Sequence, residues 1–175
     1  MSQEEEFIEK AIKFKREEKF EDALDILKAL LKRNPQSINA KVAFIEVLFE
    51  YGIYLNDEWV LEYAKAEECF KKVIVLAPEN YRAWYNLGIA YFNQNKMDEA
   101  LNAYNRAIEI KPEYFYIYYN IGLIYEFNKK DLCKALQYYE KALSYNNDFV
   151  YAIQAKNIVK KKLEMFKQNE DGRVK

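Results

Sequence analysis

The chain has 175 residues, 51% hydrophobic and 31% charged, with a formal net charge of −1 and no histidine. That balance excludes a polypeptide too polar to build a core, and it excludes a surface basic enough to be organised around nucleic acid. The missing imidazole removes the commonest general base and neutral metal ligand, so serine–histidine and cysteine–histidine catalysis are out of reach.

Four Gly and three Pro beside 16 Tyr and 11 Phe describe long helices packed by large side chains. The start, Met1 to Glu6, carries three consecutive glutamates and no apolar block, and no apolar run approaches the roughly 18 residues a bilayer span needs. The expectation is a cytoplasmic protein with no membrane partner. Cys69 and Cys133 lack CxxC spacing and read as ordinary buried or half-buried thiols.

Taken in chain order, Phe7, Ala11 and Phe14 lie on one face of a first helix, and Ala23, Leu27 and Leu30 on one face of a second, which ends before Pro35. From Ile38 to Leu55 a stripe of Phe44, Ile45, Leu48, Tyr51, Gly52 and Leu55 predicts a helix of about five turns. Its partner helix is expected from about Asp57 to Leu76, capped by Asn56 or Asp57, with Ala66, Phe70 and Val73 inward. Pro78 and Pro112 then bracket 34 residues holding Trp84, Leu87, Gly88, Tyr91, Ala100, Tyr104 and Ala107. The next stretch repeats this with Tyr118, Ile121, Gly122, Tyr125, Ala135, Tyr139 and Ala142, after one extra residue assigned to the turn from Asn128 to Lys134. Last comes an amphipathic helix with Phe149, Ala152, Val159, Leu163 and Phe166 on one side, and Gln154, Lys161, Glu164 and Gln168 on the other.

The spacing W-x2-L-G-x2-Y at Trp84, Leu87, Gly88 and Tyr91, copied at Tyr118, Ile121, Gly122 and Tyr125, resembles the tetratricopeptide repeat. The resemblance implies an all-α fold: a right-handed superhelical α-solenoid of helix-turn-helix repeats with a C-terminal capping helix. One domain over residues 1–168 is expected, with repeats over about 4–37, 38–80, 81–114 and 115–148 and a cap over about 149–168; residues 169–175 are expected to be a disordered tail. Pro35 and Pro78 stand 43 residues apart, nine more than the later period. Starting the second motif at Phe44 or seven residues later near Tyr51 fits equally, because seven residues rotate the face by only about 20°. The nine residues are expected to divide between the two helices of that hairpin, so that its tip, near Trp59, protrudes. The prolines are expected only to end helices.

Opposite the motif face, Arg82, Tyr85, Asn86, Ile89 and Asn93 share one side of their helix, and Tyr116, Tyr119, Asn120, Leu123 and Phe127 share the equivalent side of the next. In the family this side lines the concave groove, so the resemblance implies a scaffold or adaptor that holds a peptide or helix of a partner protein there. Ile8, Glu9, Ile12, Arg16, Val42, Ala43, Glu46 and Glu50 would line the earlier, more acidic part. The alternative is a structural subunit whose groove is filled by its own terminal segment or by homodimerisation. Co-chaperone members grip a carboxylate with lysine, asparagine and arginine on three successive units; this chain has Val42 and Glu46 in the first of those places and departs from that pattern. Enzymatic activity, a cofactor and a bound metal are not expected, and no glycine-rich phosphate loop is present. Lys156, Lys160, Lys161, Lys162 and Lys167 make the last helix locally basic, which reads as a solvated cap face.

Overall fold

The computed structural model describes residues 2–171, and side chains through residue 168. Among the described residues there are nine helices and no strand: α1 (Gln3–Arg16), α2 (Phe20–Arg33), α3 (Ile38–Leu55), α4 (Tyr63–Leu76), α5 (Tyr81–Asn93), α6 (Met97–Ile110), α7 (Phe115–Leu123, continued by a π-helical turn over Ile124–Asn128), α8 (Leu132–Tyr145) and α9 (Val150–Asp171). They form two compact units, Met1–Lys96 and Met97–Lys175. The starts of α1, α3, α5 and α8 carry side-chain caps, whereas those of α2, α4 and α7 do not. The side chains of Ser37, Asn80 and Asp131 accept hydrogen bonds from the amides of Ala40, Ala83 and Lys134, and Ser2 forms a reciprocal box with Glu5.

In the first unit, Leu27, Val47, Phe70 and Val73 are fully buried. Two observations fix the register of the second hairpin. A Cβ placed on Gly52 would stand 2.7 Å from Cε1 of Phe70, so that glycine lets the ring lie against the α3 backbone. The amide of Glu62 donates to the carbonyl of Leu55, just as the amides of Lys19 and Lys96 donate to Phe14 and Tyr91. Gly52 and Leu55 therefore hold the places that Gly88 and Tyr91 hold later, and the motif begins at Leu48, between the two starts that the sequence allows. Of the nine extra residues, seven lie in α3 ahead of Gly52. Two lie in the loop, where the closing bond spans seven residues instead of five.

This corrects two expectations. The partner helix α4 starts at Tyr63 rather than near Asp57, because Asn56 ends α3 and Asp57 turns its carboxylate onto the amide of Trp59, at 2.9 Å. The added length also does not split between the helices. Seven residues are two α-helical turns, which keep the same face inward, and they sit at the end of α3 remote from Trp59.

A left-handed residue precedes each second helix of a pair by two positions: Glu18 (φ 58°), Leu61 (59°), Asn95 (61°) and Lys130 (58°). None is glycine, and only Asn95 is a residue type that tolerates this conformation readily. Lys130 stands eight residues after Gly122, whereas Asn95 stands seven after Gly88. The extra residue therefore lies in the first helix and not in the Asn128–Lys134 turn, where the sequence had placed it. The amide of Lys129 donates five residues back to Ile124, which is the π-helical bond that absorbs the insertion.

The second unit is built around two linked clusters. Tyr118, Ala142, Phe149 and Ala152 form one, and Ala135, Tyr139 and Val159 the other, so α9 packs on both helices of the preceding hairpin. Gly122 has the same use as Gly52, since a Cβ there would be 2.5 Å from Cε1 of Tyr139. The prolines do more than end helices. The indole N–H of Trp84 donates to the carbonyl of Pro78 at 2.9 Å, and the hydroxyl of Tyr118 donates to that of Pro112 at 2.7 Å. Burial first, then the neighbouring Tyr145, pushes the Tyr118 phenol up to about 12.

Phe149, just ahead of α9, and Ala152 and Val159 within it are buried as their stripe predicts, but Phe166 is exposed. The helix continues through residues 169–171, three positions into the segment expected to be a tail; residues 172–175 lie outside the described ones. Cys69 is buried and its thiol is pushed up to about 11 by that burial, whereas Cys133 is exposed rather than half-buried.

Candidate functional site

Each unit carries part of the surface that the sequence singles out. In the first unit, the guanidinium of Arg82 lies over the ring of Phe49 from α3, 5.1 Å from its centroid. Asn93 donates from Nδ2 to Oδ1 of Asn56 at 3.3 Å. Asn86 turns back on its own helix and donates to the carbonyl of Arg82 at 2.8 Å, while Tyr85 and Ile89 are half-buried. Of the earlier lining residues, Ala43 is buried. Glu46 and Glu50 are bridged by Lys15, at 2.6 and 3.1 Å, so one of their two negative charges is balanced within the fold. Burial by itself lowers the affinity of Lys15 for its proton, and the two carboxylates more than reverse this.

In the second unit, the aromatic residues do converge. Phe149 is the floor. Tyr116 and Tyr119 meet its ring edge to face, both at 5.2 Å, and Tyr151 does so at 5.8 Å. Tyr116 and Tyr151 remain exposed above it. Tyr119 is half-buried, and burial, then the charge of Glu126, holds its phenol up, so it stays a neutral hydroxyl near pH 7. Asn120 and Leu123 are half-buried, the latter packed beside Val159 under α9. Phe127 is exposed with the ammonium of Lys162 5.5 Å from its ring centre.

Three residues of this surface are absent from the sequence-derived set. Tyr151, Ile158 and Met165 repeat every seven residues along one exposed edge of α9. The signal was available: adding the 35-residue offset of the last motif copy to Tyr116 and Leu123 gives Tyr151 and Ile158. The same offset carries Ile121, Gly122 and Tyr125 onto Lys156, Asn157 and Lys160, polar residues unsuited to receive a packed partner helix.

One buried charge supports the surface. Glu126, in the π-helical turn, has a side chain only 3% exposed; it accepts hydrogen bonds from the hydroxyl of Tyr139 at 2.8 Å and the ammonium of Lys162 at 2.6 Å. Burial, then this carboxylate, raises the Tyr139 phenol strongly. Lys162 thereby ties α9 to the turn. Lys160 also pairs with Glu140 of α8 at 3.2 Å, but both side chains are about half exposed and the pair adds little.

Tetratricopeptide-repeat models match residues 81–114 and 115–149. Anaphase-promoting complex subunit 3 of Schizosaccharomyces pombe is 40% identical over 81 residues, 46% of this chain and 12% of that protein; the chain thus spans about an eighth of this relative's length. Among solved structures, MamA superposes with a TM-score of 0.70 at 28% identity, covering 88% of this chain and 84% of that one. The first TPR of Spaghetti (RPAP3), bound to the HSP90 peptide SRMEEVD, has a TM-score of 0.62 at 24% identity, with 69% and 93% covered. The paired helices, the glycines pressed against aromatic rings and the repeated closing turns have the same origin as these matches: this is a tetratricopeptide-repeat protein.

Proposed function

We propose that the chain is a protein-interaction module, a scaffold or adaptor that binds an apolar peptide or helix of a partner protein, working in the cytoplasm and without catalysis of its own. The observation that carries this reading is the surface on α7 and α9. Tyr116 and Tyr151 are exposed over the same Phe149 ring, Ile158 and Met165 continue the exposed edge of α9, and large apolar side chains left exposed in this pattern mark a docking site more often than a solvated wall. The floor is rigid because Phe149 is buried among three tyrosines, so little side-chain freedom is lost when a partner arrives. Tyrosine hydroxyls at the rim supply donors and acceptors for a partner backbone.

In the first unit, taken by itself, Arg82 and Asn93 of α5 are exposed and offer polar contacts of their own. Asn86 has an amide proton engaged by its own helix, and contributes its remaining donor and acceptor capacity. A related fold with a peptide bound, that of Spaghetti, supports the mode of binding but not the identity of the ligand.

The test is to isolate the partner by affinity purification from the source organism and to titrate it against Tyr151→Ala and Tyr119→Ala. Loss of an aromatic anchor should weaken binding about tenfold or more. Wild-type affinity in both variants, with folding intact, would remove the site from this surface.

A further inference from the structure

We propose that Trp59 docks into the hollow between α1 and α2 of a second copy of this chain. The loop that presents it is the part of the first unit that no other hairpin has. Trp59 is 87% exposed and Leu61 57% exposed, and both stand on a turn that is closed by its own hydrogen bonds. Asp57 accepts from the amide of Trp59 at 2.9 Å through its carboxylate and from that of Leu61 at 3.0 Å through its carbonyl; Glu62 closes the loop onto Leu55 at 3.0 Å. Leu61 holds a left-handed φ of 59°, a conformation that disfavours a large side chain. An indole held outward on a preorganised turn loses little freedom when it is buried elsewhere, and tryptophan is the residue type most enriched among binding hot spots.

The receiving hollow lies on the same unit. It is an open depression of about 270 Å³ lined by Phe7, Ile26, Ala29 and Leu30, with Arg33 and Asp25 at its edge. That volume suits one large side chain. The charges match as well. Asp25 is neutralised by Lys28 at 2.9 Å, which leaves Arg33 as the effective charge, and among the described residues Arg33 makes no ion pair. Glu58, next to the tryptophan, likewise makes none. In the proposed contact Glu58, one residue from the indole, pairs with Arg33 at the rim.

Knob and hollow are different surfaces of one chain, so each contact leaves a second knob and a second hollow to be used, either by a further copy or reciprocally within a pair. Each contact is also small. A contact centred on one indole falls below the size of stable interfaces, and its dissociation constant is expected on the order of 0.1 to 1 mM.

Sedimentation equilibrium of the full chain from about 10 µM to about 1 mM covers that range. The average mass of the wild type should rise with concentration, while Trp59→Ala and Ala29→Glu, both at exposed positions, stay monomeric with unchanged circular dichroism and melting. Mixed in equal amounts, the two variants should form a two-chain complex, since one keeps the hollow and the other the knob. Glu58→Arg and Arg33→Glu should each weaken association, and the double variant should restore it. A wild type that is monomeric throughout, association that survives Trp59→Ala, or a mixture that stays monomeric would each overturn the proposal.

Discussion

The second and fourth hairpins solve one problem in two ways. In each, a glycine of the first helix lets an aromatic ring of the second lie against its backbone, Phe70 against Gly52 and Tyr139 against Gly122. Each also carries residues beyond the usual period. The second hairpin takes nine, as two whole turns of α3 and two loop residues, and its core ring stays purely apolar. The fourth takes one, which cannot form a whole turn and is absorbed as a π-helical bond. That bond carries Glu126 inward. The ring opposite Gly122 is a tyrosine, like Tyr104 at the matching place of the preceding hairpin; here its hydroxyl reaches the carboxylate, and a lysine of the cap helix completes the charge. An insertion in phase with the helix leaves the core unchanged; one out of phase needs a polar network to satisfy what it buries.

The largest effect should come from breaking that network. Lys162→Met leaves the Glu126 carboxylate buried with the Tyr139 hydroxyl as its remaining side-chain donor among the described residues, and the second unit should lose about 2 to 4 kcal/mol in urea denaturation. A loss below about 0.5 kcal/mol would mean that water replaces the lysine without cost. No comparable variant exists for Phe70, which has no polar tether.

The glycines sharpen the contrast next. Gly122→Ala forces a methyl group against a ring that is anchored through its hydroxyl, and should cost about 2 to 3 kcal/mol; Gly52→Ala meets an untethered ring and should cost about 1 to 2 kcal/mol. Combining Gly122→Ala with Tyr139→Phe should narrow the gap after the cost of Tyr139→Phe alone is subtracted. If Gly52→Ala proves the costlier change, tethering is not what distinguishes the two contacts.

The second hairpin has its own carboxylate, placed at its edge. Glu67 of α4 accepts from Lys71 at 2.6 Å, and from Gln94 and Lys96 just beyond α5 at 3.0 Å each. Burial alone would raise its pKa, and the three hydrogen bonds outweigh this and hold the carboxyl down to about 2. A carboxyl lowered on folding contributes its full stabilisation above its unfolded value near 4.5 and loses it as pH falls towards about 2. Glu67→Gln should therefore cost about 1 to 2 kcal/mol at neutral pH, with the difference from wild type closing by about pH 2. A gap that does not change with pH would show that the carboxylate charge is not what is recognised.

The smallest effect has the opposite sign. Leu61→Asn relieves a left-handed leucine with the residue type that Asn95 already supplies in the next turn, and should raise stability by about 0.5 kcal/mol. It leaves Trp59 in place. A melting temperature that falls would show that the exposed leucine packs on the loop more than its accessibility indicates.

The residues that make the repeat were legible because helical packing depends on side-chain size at fixed spacing. Gly88 and Gly122, Trp84 and Tyr118, Ala100 and Ala135 could be aligned without coordinates. The candidate surface on α7 was legible for the same reason, since a helix face follows from 100° per residue. Its continuation onto α9 was harder to see, because the motif places on that helix hold Lys156, Asn157 and Lys160, and the repeat stops there when only the motif is followed. The hydrogen-bonded tie of Asn86 to its own helix and the bridging of Glu46 and Glu50 by Lys15 depend on rotamers that sequence spacing does not specify.

What the sequence by itself determined is thus the pairing of helices, the inward face of each and the existence of extra length in the second and fourth hairpins. Where that extra length went was decided by tertiary contacts. Residues 38–55 satisfy a helical stripe in several registers, and only the approach of Phe70 to Gly52 and the closing bond from Glu62 to Leu55 select one. The single residue of the fourth hairpin could lengthen either a turn or a helix at similar local cost. Burial of Glu126 between Tyr139 and Lys162 favours the helix, because those partners come from α8 and α9, and neither is near in sequence to the turn that they stabilise.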